Sequence, residues 1–407
     1  MTDCLLVEKF YTAWELSPSN AGNNLCFYYK FNDKNILDSV VTALSQLVNI
    51  NSELRKNFYR DSFGKLCASE SAKIYSCKNL AVTSEARAMQ LIAELAKFVP
   101  NLNHDLLIQT SSIFVEETKE YWLFFHIHHI LLDGAGLKTF INGLNQQLAT
   151  SKPVILPVIT STKSILTVID ELGLDSYLDD LANCIEENQN VIIENTDTFY
   201  QSVELNSKLI SKIDELSKMH GFSRFNILLL IYSLFVAKIN NSNSSLVLYP
   251  VNMRKNSDGL GCAVNSIVYP FIFAADETLI DKIKIQKEQL SVYKKLSLID
   301  IISFSHKYQV PLNIPAFADS QMAQLPLLAN AKSYSLPQLS SSPYVIKYTE
   351  LDNKVYMYFE TYVEAFSDTL LTTILDRFVN FCTEVVSQPN LSLSSFDLIY
   401  SDSPVVE

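Results

Sequence analysis

Tyr121-Trp122-Leu123-Phe124-Phe125-His126-Ile127-His128-His129-Ile130-Leu131-Leu132-Asp133-Gly134 is an apolar run that ends in paired histidines, an aspartate and a glycine. Its aromatic and β-branched residues predict a strand, and Ile113-Phe114-Val115 predicts the strand before it, turned at Glu116 to Glu120. Beyond the glycine, Leu137, Phe140, Ile141, Leu144 and Leu148 recur at the spacing of one buried helical face. The stretch therefore runs strand, short loop, helix. Such a junction lets one side chain project into a cavity while its support stays rigid.

Four specified residues in seven, His128, His129, Asp133 and Gly134, arise by chance in a chain of this size at roughly one in a thousand or less. On an extended backbone His128 and His129 point to opposite sides, so only one faces a given cavity. An imidazole titrating near neutrality can take a proton from an attacking amine or alcohol and pass it on. Asp133, four residues on and past a turn, is poorly placed as the third member of a triad; anchoring the loop through a buried cation suits it better. Gly134 is expected to let the backbone turn tightly, and amides opening the next helix to meet a developing oxyanion. The plain alternative is two packed histidines ahead of an aspartate-capped helix, and the complete motif weighs against it. His126, on the face opposite His129, reads as structural. A zinc site at His126, His128 and His129 is rejected, since neighbouring strand positions diverge and no thiolate or carboxylate stands at ligand spacing.

Outward from this centre, Phe27 to Phe31 predicts a strand leading into a helix with Leu37, Val40, Val41, Leu44, Leu47 and Val48 on one face. Residues 84–98 predict another helix. Between about 150 and 195 the pattern loosens, which marks a connection, and afterwards the order strand, helix, helix, strand recurs. Ser223 to Ile239 predicts a long helix whose apolar run Phe225–Ala237 is too short and too interrupted for a membrane span. Tyr344 to Glu350 and Lys354 to Tyr362 predict a hairpin, with a closing helix behind it. The mixture points to two α/β sandwiches, expected at residues 1–170 and 171–407.

The formal net charge of −12 is opposite to that of a nucleic-acid binder. The 7 cysteines are scattered without a Cys-x-x-Cys pair, and the N-terminus lacks a basic region followed by an apolar one. These features lead to an expectation of a reduced, cytoplasmic setting and no membrane partner; a monomer is the default.

His-His-x-x-x-Asp-Gly resembles the signature of the condensation domains of nonribosomal peptide synthetases, within the chloramphenicol acetyltransferase-like acyltransferases. Leu54-Arg55-Lys56-Asn57-Phe58 resembles that family's Leu-Arg-Thr-x-Phe motif, Tyr249-Pro250-Val251-Asn252-Met253-Arg254 its Thr-Pro-Val-Ala-Gly-Arg stretch, and Gly261-Cys262-Ala263-Val264-Asn265-Ser266 its Gly-x-Phe-Val-Asn-Thr. The opening motif is reduced to Val7-Glu8-Lys9-Phe10-Tyr11 with Trp14 nearby, and a later His-Gln motif is not recognisable at Ser303 to Val310. The resemblance spans residues 3–400 and implies two acetyltransferase-like lobes in a V around a central channel, with His129 catalytic. It also implies Arg55 as the ion-pair partner of Asp133, and Arg254 and Asn265 at the channel or lobe interface. The implied chemistry is amide formation from a carrier-protein thioester by a free-standing enzyme. It needs no resident cofactor or metal; the substrate arrives on phosphopantetheine, and the partners are an acyl or peptidyl carrier protein and an amine acceptor. Two rivals stand beside it: an O-acyltransferase using a carrier or coenzyme A thioester, and a silent carrier-docking module.

Overall fold

The computed structural model describes residues 5–160, 162, 174–187, 199–255, 259–319, 325–327, 331, 333–336, 342–351, 354–361 and 368–398. Along the first part of the chain come α1 (Leu5–Leu16), β1 (Asn24–Phe31), α2 (Lys34–Ile50), β2 (Lys56–Arg60), β3 (Leu66–Glu70), β4 (Lys78–Val82), α3 (Glu85–Ala96), β5 (Ile108–Val115), β6 (Glu120–His128) and α4 (Gly134–Thr150). Then follow α5 (Asp175–Glu187), β7 (Phe199–Glu204), α6 (Ser207–His220), α7 (Arg224–Ile239), β8 (Ser244–Asn252), β9 (Val264–Ile272), α8 (Leu279–Leu296) and α9 (Ile301–Tyr308). The last elements are β10 (Ala316–Asp319), β11 (Ser333–Ser335), β12 (Tyr344–Leu351), β13 (Lys354–Thr361) and α10 (Asp368–Ser387).

The chain is mixed α/β and forms two compact units. In the first, a five-stranded sheet runs β11-β1-β6-β5-β4, antiparallel except where β4 lies parallel to β5. The two-residue period of the strands divides its side chains between two cores. Leu25, Phe27 and Tyr29 of β1, with Leu123, Phe125 and Ile127 of β6, pack beneath α2 and α4. Cys26 and Tyr28, with Trp122 and Phe124, face Ala88 and Ile92 of α3. Both faces are therefore buried, which is why β6 reads as an unbroken apolar run rather than an alternating one. Each large apolar side chain fully withdrawn from water contributes about 1.5–3 kcal/mol.

The second unit holds a six-stranded sheet ordered β7-β13-β12-β10-β8-β9. Its most apolar helix, α7, is buried at every position from Ile227 to Ala237, so its hydrophobicity reflects a position inside the core. Among the described residues no single helix is long and apolar enough to cross a membrane. The expected hairpin forms between β12 and β13; Asp352, Asn353 and Tyr362 lie outside the described residues.

The units do not follow a linear division. Asn252–Asn265 and Ser320–Leu339 belong to the first unit, although an expected boundary at 170/171 would assign both to the second. Packing explains the difference. Leu260, Cys262, Leu325 and Leu327 are buried in the core beneath α4, the Leu260 amide donates to the Pro157 carbonyl (2.8 Å), and β11 pairs with β1. The looser stretch between about 150 and 195 contains α5, while residues 163–173 and 188–198 lie outside the described ones.

Candidate active site

Strand parity sets the directions of the three histidines. His126 and His128 fall on the α3 side of the sheet and are almost fully buried. His129, one residue past the end of β6, is half-buried on the other side, and its amide donates to the Asn23 carbonyl (2.7 Å). The Phe10 ring of α1 stacks on its imidazole, with centroids 4.9 Å apart and planes 17° from parallel. Cys262 Sγ lies 4.0 Å from Nδ1. The ring is thus backed on one face and met at one nitrogen, an arrangement that fixes the direction of Nε2.

Cys262 is no rival nucleophile. Burial, reinforced by the negative charge of Asp133, pushes its thiol up to about 12, so at neutral pH it is the unreactive thiol rather than the thiolate.

Asp133 caps α4 and holds the loop. One carboxylate oxygen accepts from the Gly136 amide (2.9 Å) and Arg254 Nη2 (2.6 Å); the other accepts from Arg254 Nη1 (2.6 Å) and the Ala263 amide (2.7 Å). Four donors fill the roughly four acceptor positions of a carboxylate, leaving none for a triad-like bond to an imidazole. Burial by itself would raise the Asp133 pKa, but the Arg254 hydrogen bonds and charge, with the Gly136 and Ala263 amides, hold it below the usual carboxylate range. Arg254 Nη2 also donates to the Gly261 carbonyl (2.9 Å), and Gly261 has a φ of 122° that favours glycine. A Cβ on Gly136 would come within 2.5 Å of that carbonyl, so the first turn of α4 and the Gly261 loop approach as closely as backbone allows.

Two expectations need correction. Arg55 does not pair with Asp133: its guanidinium contacts Glu70, and Nη1 donates to the Ser71 carbonyl (3.2 Å). The 3-10 turn Ser52–Arg55 leads directly into the β2–β3 ribbon, which pairs Lys56 with Glu70 and so brings Arg55 beside Glu70. Arg254, expected at a channel or interface, is the cation that Asp133 needs. Gly134 is also not the tight turn: it opens α4 in helical conformation, and the positive φ lies at Gly261. With Gly136 bonded to Asp133, the oxyanion expectation narrows to the amides of Gly134 and Ala135. Asn265 is buried at the second position of β9, two residues beyond the Ala263 amide that binds Asp133.

Sequence reasoning missed Phe10 and Cys262 as neighbours of His129. Both sit inside stretches already singled out, the reduced opening motif and the Gly261–Ser266 segment, but neither residue type announces a role beside an imidazole. Among the described residues no group of three His, Cys, Asp or Glu side chains could hold a metal ion.

The buried histidines make stability depend on pH. Burial pulls His126 down to about 4; burial, then the neighbouring His129 and His126, pulls His128 down to about 3. Unfolded, both rings titrate near 6.5, so below that pH the unfolded chain binds protons that the folded chain refuses. Stability is therefore expected to fall as pH drops from about 6.5 towards 4, with a slope approaching about 1.4 kcal/mol per pH unit for each ring. Urea midpoints measured from pH 7 to 4.5 check this, and His126→Phe should flatten the curve. An unchanged slope in that variant rejects the assignment.

No protein-family model matches the chain, and no curated protein matches its sequence. Solved structures do match. The first condensation domain of the CDA synthetase superposes with a TM-score of 0.70 at 14% identity, covering 97% of this chain and 98% of that one. A four-domain nonribosomal peptide synthetase bound to AMP and glycine matches over 98% of this chain and 34% of its own, with a TM-score of 0.79 and 14% identity. The condensation domain of the Monacolin K polyketide synthase MokA gives 0.71 at 13% identity, covering 95% of this chain and 97% of its own. At such identities the likeness is one of architecture, and the chain has the condensation-domain fold.

Proposed function

We propose that the chain is a condensation enzyme that transfers an acyl or aminoacyl group from a carrier-protein thioester to an amine, forming an amide. The observation that carries this reading is the placement of His129: half-buried, stacked on Phe10, and at the end of a strand whose following loop is fixed by Asp133 and Arg254. The solved structure of an arginine-to-alanine mutant of the starter condensation domain of the rhizomide synthetase, in complex with C8-CoA, supports this reading; its TM-score is 0.74 at 13% identity, with 97% of this chain and 96% of that one covered.

The amine lone pair attacks the thioester carbonyl carbon, and the carbonyl oxygen becomes an oxyanion within reach of the first amides of α4. The carbon–sulfur bond then breaks. His129 takes the proton from the former amine at Nε2 and returns it to the departing thiolate, so the products are an amide and a free pantetheine thiol. No acyl-enzyme is required. The phosphopantetheine arm is substrate rather than resident cofactor, and its carrier protein is the proposed partner.

Incubating acyl-loaded carrier proteins with a panel of small amines, and following the carrier by mass spectrometry, tests the proposal. Loss of the acyl mass with matching amide formation is the expected result. Ester formation with alcohols alone would make the chain an O-acyltransferase. Retention of the acyl group with every acceptor would leave only a docking role.

A further inference from the structure

The α3 face of the first unit's sheet carries a cavity of about 210 Å³ that the proposed reaction does not use. Leu91 and Leu95 of α3, Phe98 just beyond it, and Phe124 of β6 provide apolar walls. His126 also lines the cavity; its side chain is almost fully buried, and neither ring nitrogen has a hydrogen-bond partner. The Phe98 carbonyl is near enough to favour a protonated ring but makes no hydrogen bond of normal geometry with it. A buried polar group left unpaired costs about 1–3 kcal/mol, so an apolar side chain would be the better filler here if nothing ever bonded to the ring.

We propose that this cavity binds a small neutral molecule with one ring and one hydroxyl, the ring against the leucines and phenylalanines and the hydroxyl donating to His126. Size supports a single ring: an apolar cavity of about 150 Å³ already admits benzene. Charge supports a neutral ligand, since the exposed Lys78 and Glu94 at the rim cancel and the His126 ring is uncharged at neutral pH. A hydroxyl supplies the donor that a neutral imidazole nitrogen lacks, whereas a carboxylate would place a second acceptor, and a charge, against apolar walls.

Phenol and toluene, titrated against the full chain, test the idea. Phenol should raise the melting temperature and shift the His126 ring ¹⁵N resonances at saturation. Replacing the acceptor in His126→Phe should lower the phenol-to-toluene affinity ratio about five- to tenfold, the worth of one neutral hydrogen bond. Filling the cavity in Leu95→Trp should abolish both ligands' effects. Ring resonances unmoved by saturating phenol would overturn the proposal, as would an unchanged affinity ratio in His126→Phe. Should that variant not fold, the wild-type ring resonances decide alone.

Discussion

His129→Ala should lower amide formation by about 10²–10⁴-fold, the range lost with a general base, while the fold survives. Its structural cost is small because the ring is only half-buried; the stacked pair it forms with Phe10 is worth about 0.5–1.5 kcal/mol. The loss divides by acceptor. An α-amino group with a pKa near 7.7–8.0 is already partly neutral at pH 7 and needs little help, so its penalty lies toward 10². An alcohol stays protonated without a base, and its penalty lies toward 10⁴. Rates should be compared under saturating thioester, with the melting temperature recorded beside them. Cys262→Ala, by contrast, should leave no acyl-enzyme missing, because the buried thiol is not a nucleophile. A His129→Ala enzyme turning over at the wild-type rate would remove the basis of the proposed chemistry.

Much of this was legible in the sequence, for physical reasons that also define where legibility ended. The unbroken apolar run of β6, the helical stripe of α4 and the apolar run within α7 are local patterns, and the structure has each of them as a buried element. Opposite directions for His128 and His129 follow from the same two-residue period. That Asp133 would bind a cation was also readable, since a buried carboxylate requires one. Which cation was not. Arg254 lies 121 residues away and reaches Asp133 only because 252–265 joins the first unit's core. Apolar residues such as Leu260 and Leu325 announce that they will be buried, without saying in which core. The parallel placement of β10 between β12 and β8 is a similar long-range choice.

Arg254→Ala should destabilise the protein by about 3–5 kcal/mol, whereas Arg55→Ala should cost about 1 kcal/mol or less. Both remove one arginine from one ion pair, but the pairs differ in what remains. Arg254 and Asp133 are 4% and 6% exposed, so truncating the arginine strands a carboxylate that water does not reach and that keeps only the Gly136 and Ala263 amides. Glu70, the Arg55 partner, is 52% exposed and returns to solvent. Denaturant titration of the two variants measures the difference directly. The Asp133→Ala/Arg254→Ala double variant should be less destabilised than the sum of the singles, because removing both charges leaves none buried alone. Acid gives an independent check on the same pair. The Asp133 pKa is depressed, so its contribution is intact above the ordinary carboxylate range and is lost only as pH falls through its lower folded value. In the wild type, stability lost between pH 6.5 and 5 therefore comes from His126 and His128; in Arg254→Ala the stranded Asp133 should titrate higher and take up a proton in the folded state, so that variant should lose less stability as pH falls. The same variant should also slow amide formation, since the loop behind His129 loses the bonds to Asp133 and to the Gly261 carbonyl together. Equal destabilisation by the Arg55 and Arg254 truncations would contradict this assignment of the pair.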